Sequence, residues 1–173
     1  MTIVSGHQRV RACKELGILE VPCRITHYKD FDDNTGTPKD DMILEDLICT
    51  NIMQRGVGNV NAQKMCKCIM ELERIYGIKN GGDRKSDLNN SNLITQKDLA
   101  EQLQIDQSQL INYKKLNDLI PELQSLIESG SMKATVGYKI WAKMPQEEQE
   151  KFFNERDYYL LYRILYSMEG WYY

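Results

Sequence analysis

The sequence predicts a mainly α protein in which a small α/β piece, strand-helix-strand, is followed by an all-α helix-turn-helix domain. Three observations carry this. Apolar residues recur at helical spacing through most of the chain after Asn61. Two short apolar runs, residues 3–4 and 21–25, flank a helical stretch near the start. Residues 95–116 hold two short capped helical patterns separated by a tight turn. With 173 residues and 42% hydrophobic content, the chain has room for one domain or two small ones around an ordinary globular core.

Taken in order, Ile3 and Val4 read as the end of a strand, Ser5 and Gly6 as a turn, residues 8–16 as a helix closed by Gly17, and residues 21–25 as a second strand begun at Pro22. Two strands cannot cover themselves, so this piece needs further structure beside it. A Gly turn running into a helix N-terminus is a place where backbone N–H groups hold phosphate, and Arg9 and Arg11 add positive charge there. A plain strand-turn-helix with two solvated arginines is the competing reading. Residues 31–41, with Asn34, Gly36 and Pro38, read as a loop and 42–53 as a helix that Gly56 and Gly58 end. Asn61 caps a long helix over 62–76, whose Met65, Cys68, Ile69, Leu72 and Tyr76 form one core stripe, stopped by Gly77.

Residues 79–92 are polar and rich in Gly and Asn, which marks a flexible connection. Helices over 121–129, 133–143 and 146–154 follow the helix-turn-helix. Residues 157–173 then gather six tyrosines and a tryptophan into a segment that either closes the bundle or forms a self-association surface. The expected division is therefore 1–60 for the α/β piece, 61–78 for a connecting helix, 79–92 for a linker, 93–156 for the helix-turn-helix domain and 157–173 for the aromatic segment.

A net charge of −3 argues against a nucleic-acid partner only until its distribution is examined. Residues 30–46 are acid-rich with Lys39 as their one base. Residues 55–85 carry Arg55, Lys64, Lys67, Arg74, Lys79, Arg84 and Lys85 against Glu71, Glu73 and Asp83, a local surface for phosphate. No apolar run approaches the roughly 18 residues of a membrane span and the start lacks a signal peptide's apolar core, so the reading is cytoplasmic with no membrane partner. Cys13, Cys23, Cys49, Cys66 and Cys68 include no CxxC pair, which points to reduced, mostly buried thiols and no zinc.

The most informative stretch is TQKDLAEQLQIDQSQLINYKKL, residues 95–116. Thr95 caps a helix with Asp98 as the partner of an approximate capping box, and Leu99, Ala100 and Leu103 follow at helical spacing. Asp106 offers a second N-cap, after which Leu110, Ile111 and Tyr113 begin a second apolar stripe. In a helix-turn-helix the second helix enters the major groove by its N-terminal end. This one presents Gln107, Ser108, Gln109 and Asn112, which suit base edges, and then Lys114 and Lys115, which suit phosphate; Thr95 and Gln96 complete the candidate DNA-binding set. The turn position after Leu103 is Gln104 rather than Gly, so the turn has to be made without the residue that tolerates a left-handed backbone, which counts against the motif. An ordinary helical hairpin with a solvated face is the competing reading.

Three stretches together resemble the ParB family of bacterial partition proteins and its relatives on plasmids, phages and integrated elements. IVSGHQRVRACKELGILEVPCRI, with Gly6, Arg9, Arg11 and Ala12, is similar to the family's arginine box. TNIMQR, through Asn51, Gln54 and Arg55, is similar to its second nucleotide box, and residues 95–145 are similar to its helix-turn-helix and bracing helices. The resemblance covers roughly residues 3–153. It implies that Gly6, His7, Arg9, Arg11, Asn51, Gln54 and Arg55 hold the phosphates of cytidine triphosphate, with Asn51 at its Mg²⁺. It also implies double-stranded DNA as partner, read at a palindromic site by a homodimer associated with nucleoid or plasmid, and a partition ATPase as a further partner.

The implied role is partition, or regulation on a mobile element. The family's elements ahead of the arginine box, which wall the base pocket, have no counterpart here. The expectation is an N-terminally truncated mobile-element member whose CTP binding is weak or lost, and no enzyme beyond a CTPase switch. A phosphoryl-transfer enzyme of the same superfamily, a CTPase, nuclease or kinase-like protein, is the alternative, although no paired carboxylates sit beside the box to hold catalytic metal. Sulfiredoxin, a further relative, uses a Cys within Gly-Cys-His-Arg; Gly6-His7-Gln8-Arg9 lacks that nucleophile.

Overall fold

The computed structural model describes residues 3–78 and 94–154. These hold eight α-helices, one two-stranded antiparallel sheet and three short 3-10 turns, so the protein is mainly α with a small β component, the fold class expected. The linker expected over 79–92 and the aromatic segment 157–173 lie outside the described residues. No described helix is long and apolar enough to cross a membrane. The described residues form two compact units, 3–59 with 72–78 and 94, and Val60–Glu71 with 95–154.

In the first unit α1 is His7–Glu15. Gly17, at φ 68°, ends it: the Gly17 N–H donates to the Lys14 carbonyl (3.2 Å) and the Ile18 N–H to the Cys13 carbonyl (2.9 Å), a Schellman closure that needs the left-handed residue glycine supplies. The helix buries none of its side chains. The strands expected at 3–4 and 21–25 do not form; the sheet lies instead where a loop is expected, β1 (Phe31–Asp32) pairing with β2 (Thr37–Pro38). The physical reason is locality. The Asp32 carboxylate accepts from the Asn34 N–H (2.9 Å) and the Thr35 hydroxyl (3.0 Å), folding the turn from its own residues, whereas 3–4 and 21–25 need distant partners. Leu16, Leu19 and Ile25 accordingly remain exposed.

Helix α2 (Lys39–Arg55) is longer than expected at both ends, with Asp40 and Asp41 in its first turn, where the helix dipole favours negative charge. Ile48 and Ile52 are its buried residues. The acid-rich stretch serves as an anchor. Arg74, on the last turn of α3 (Ala62–Ile75), grips the Asp41 carboxylate bidentately at 3.1 and 2.6 Å and holds its carboxyl below the usual range. The Tyr76 hydroxyl donates to Glu45 (2.6 Å). The Tyr28 hydroxyl donates to Asp46, whose carboxylate, helped by partial desolvation, pushes the phenol up to about 12.

The second unit is helical: the earlier turns of α3, then α4 (Gln96–Gln102), α5 (Gln107–Lys114), α6 (Pro121–Glu128), α7 (Ala134–Lys139) and α8 (Gln146–Asn154). Asn61 starts α3 by accepting the Gln63 N–H (3.0 Å), and its own amide donates to the Ile127 and Glu128 carbonyls (3.3 and 3.0 Å), so one side chain satisfies the ends of two helices. The α3 stripe differs from expectation at two places, Cys68 and Tyr76, both of which are half-buried. Met65, Cys66, Ile69 and Leu72 are fully buried, and burial pushes the Cys66 thiol up to about 11. The thiols are also less buried than expected: among the described cysteines Cys66 alone is inside and Cys23 is exposed. The single helix expected over 133–143 breaks after α7, and a 3-10 turn, Trp141–Lys143, follows, placing Trp141 in the core.

Candidate nucleic-acid interface

Helices α4 and α5 are built largely from their own residues. Both arms of the capping box are present: the Thr95 hydroxyl accepts from the Asp98 N–H (3.3 Å), and the Asp98 carboxylate accepts from the Thr95 N–H (2.8 Å) and its hydroxyl (2.7 Å). These bonds hold the Asp98 carboxyl below its ordinary range. The turn is a Schellman motif closed on Gln104, at φ 57°, with the Gln104 N–H on the Glu101 carbonyl (3.0 Å) and the Ile105 N–H on the Ala100 carbonyl (3.0 Å). Asp106 then caps α5 by accepting the Gln109 N–H (2.9 Å). Leu99, Ala100, Leu103, Ile105 and Leu110 are buried around the turn.

Gln104 is the one described non-glycine residue at positive φ. A left-handed conformation costs a residue with a Cβ about 1–2 kcal/mol, partly offset by the greater freedom glycine has in the unfolded chain. Gln104→Gly is therefore expected to stabilise the protein by about 0.5–1 kcal/mol. Urea denaturation reads this, and a variant less stable than the parent would show that the Gln104 side chain makes a contact worth more than the strain.

On α5 the expected DNA residues separate by orientation. Gln107, Ser108 and Gln109 are exposed, Asn112 is half-buried, and Lys115 is exposed with its Nζ 3.5 Å from the Asn112 Oδ1. Lys114 is half-buried, and its carbonyl lies 3.9 Å from the Cys66 thiol, so it stands to the side of the face that Ser108, Asn112 and Lys115 share. Ile111 departs from the expected apolar stripe. It is 40% exposed while Leu110 is fully buried, because consecutive helical residues are turned by about 100° and only one of the two can face the core. Thr95 spends its hydroxyl on the cap, and Gln96 opens α4 half-buried. Of the basic residues expected to form a phosphate surface, Lys64 and Lys67 share Glu128 at 3.9 and 3.7 Å and Arg74 is held by Asp41. The two lysine contacts are long, exposed pairs of the kind that contribute little and exchange readily for another anion.

The residues of the first two motifs meet in the first unit. Gly6 precedes α1 at φ 90°, and the Gln54 amide on the last turn of α2 donates to the Ser5 hydroxyl at 3.3 Å, joining segments 49 residues apart. His7 and Arg9 are exposed; Arg11 pairs with Glu15 at 3.2 Å along α1. Asn51 is exposed and uses an amide N–H on the Leu47 carbonyl (2.7 Å). Arg55 ends α2, and its side chain lies outside what the structure describes. This donor set fits phosphate through the α1 N-terminus and the Arg9 guanidinium, while the Asn51 and Gln54 amides already donate to the Leu47 carbonyl and the Ser5 hydroxyl. It fits a nucleoside base less well, because α1 buries no side chain against which a base could stack. Among the described residues no group of three His, Cys, Asp or Glu side chains is placed to hold a metal ion. No family model matches the chain, and no curated protein matches it either.

Proposed function

We propose that this chain is a sequence-specific binder of double-stranded DNA, reading bases through the outer face of α5. The observation that carries the proposal is the capped α4, left-handed turn and capped α5, which leave Gln107, Ser108 and Gln109 outward, with half-buried Asn112 beside Lys115. The likeness of three ordered motifs to ParB proteins supports the same reading. On that likeness the proposed role is plasmid or chromosome partition, or regulation on a mobile element, with a homodimer suited to a palindromic site and a partition ATPase as a further partner. Selection from random duplexes tests it: one motif should enrich. Asn112→Ala should then cost about 1–3 kcal/mol at a single base pair. Lys115→Ala should instead weaken all sequences alike and lower the salt slope by about one. Enrichment of no motif would return α4 and α5 to the status of a plain helical hairpin.

A second reading, a phosphate site at the start of α1, is favoured by the Ser5–Gln54 hydrogen bond that draws the two nucleotide-box segments together. CTP with Mg²⁺ is its ligand by resemblance, and Gly6, Arg9 and the Asn51 oxygen are the groups that would approach the phosphates and metal. Held in open solvent, such contacts are screened, so isothermal titration should find CTP binding weak or undetectable. Micromolar affinity that Arg9→Ala abolishes would overturn this and make nucleotide binding a working function of the chain, with a CTPase switch the activity to assay next.

A further inference from the structure

We infer that Ile111 is a base-reading residue whose side chain contacts the C5-methyl of a thymine next to the base edge that Asn112 pairs. The inference rests on the duplex-DNA reading above and adds to it a residue that an argument from polar groups passes over. Residues three, four and seven apart on a helix share a face, so Ser108, Ile111 and Asn112 on α5 form one stripe with Lys115, the residue that caps its end in helical backbone conformation. Leu110, its neighbour, is fully buried, whereas Ile111 keeps 40% of its surface exposed within that stripe. A lone exposed aliphatic residue elsewhere on a surface needs no explanation. Here it stands between a hydroxyl, an amide and an ammonium, on the helix that would enter the groove.

The chemistry of the stripe matches an A·T pair. In the major groove adenine presents N7 and the N6 amino group, and its partner thymine presents O4 and the methyl. The Asn112 Oδ1 takes the Lys115 Nζ at 3.5 Å with one lone pair, which leaves the other for the adenine amino group and the amide N–H for N7. Ile111 is the adjacent residue, turned about 100° around the helix, and is the aliphatic group of the stripe available to exclude water from the methyl. The same side chain set against cytosine meets a hydrogen where thymine has its methyl, so the contact discriminates by the burial of a single carbon.

The test replaces each thymine of the selected site, one at a time, by deoxyuridine, which removes the C5-methyl and leaves pairing unchanged. Affinities are measured for the full chain, Ile111→Val and Ile111→Ala. At one thymine or more the parent should lose about fourfold, the value of one buried methyl group. Ile111→Val, which keeps its branched methyls, should lose nearly as much, and Ile111→Ala should be indifferent to the replacement. A site in which every thymine can be replaced without loss overturns the inference and leaves the DNA reading standing. So does a loss that Ile111→Ala retains in full. Failure to select any site overturns both.

Discussion

Gln149→Ala is expected to lower the unfolding free energy by about 3 kcal/mol or more, a large share of the 5–15 kcal/mol that holds a typical domain together. Gln149 is completely buried on α8, and its amide is used at both ends. Its Oε1 accepts from the Ile120 N–H at 3.0 Å; its Nε2 donates to the Asp118 carbonyl at 3.1 Å and the Met144 carbonyl at 2.9 Å. These three backbone groups belong to the end of the 3-10 turn Lys115–Asp118, the entry to α6 and the entry to α8. Truncation leaves the buried Ile120 N–H without a partner, at about 1–3 kcal/mol, and takes a hydrogen bond worth about 0.5–1.5 kcal/mol from each of two part-buried carbonyls, of which that of Asp118 keeps the Gln146 amide at 3.5 Å. Gln149→Glu separates this account from one based on volume. It keeps the size and the acceptor for Ile120 but turns a carboxylate toward two carbonyls, so at neutral pH it should be nearly as harmful as alanine. Urea denaturation followed by circular dichroism decides. A glutamate variant as stable as the parent would assign the role of Gln149 to packing alone. The 3-10 turn it pins follows α5 directly, so the stability effect and the placement of the proposed reading helix share one side chain.

Gly137→Val is expected to cost about 2–3 kcal/mol by overpacking. Gly137 is buried in α7, and a Cβ there would meet the Ile127 Cδ1 at 2.8 Å, the Leu116 Cδ2 at 3.0 Å and the Leu119 Cδ1 at 3.2 Å. Those atoms are the tips of side chains that are themselves buried, so they have little room to withdraw. Gly137→Ala should cost less, because alanine regains about 1 kcal/mol of helix propensity against a smaller clash. The order parent, alanine, valine in denaturation midpoint is the expected result. Valine at parental stability would mean that α7 shifts away freely and that its close approach to the 3-10 turn and α6 is not required.

The pair of capped helices α4 and α5 with its tight turn was legible because its determinants are neighbours in sequence. The Thr95–Asp98 box, the Asp106 cap and the left-handed turn at Gln104 are each closed by hydrogen bonds within a few residues; the two caps stand where the residue types suggest, whereas the left-handed turn falls on a glutamine, a type that does not announce it. Helix ends at Gly17 and Gly77 follow the same logic. Gln149 was not legible, since QEEQEKFFN reads as a solvated face until the backbone groups around it are in place. Ile111 carried a signal that could have been used: its spacing from Ser108 and Lys115 puts it on the polar face, although its apolar character suggests the core.

What the sequence by itself determined about this protein is the helical class, the two capped helices with their turn and the residues offered along α5, because caps and periodicity act over one or two turns of chain. The tertiary structure alone decided which of two nearby apolar residues lies inside, Leu110 over its neighbour Ile111 and Cys66 over Cys68 two residues on. It likewise decided that the expected strands at 3–4 and 21–25 stay unpaired while 31–38 forms the sheet, and that Ser5 and Gln54 meet. Those outcomes depend on which distant surfaces are present to cover a side chain or accept a backbone hydrogen bond, and no local pattern contains that information.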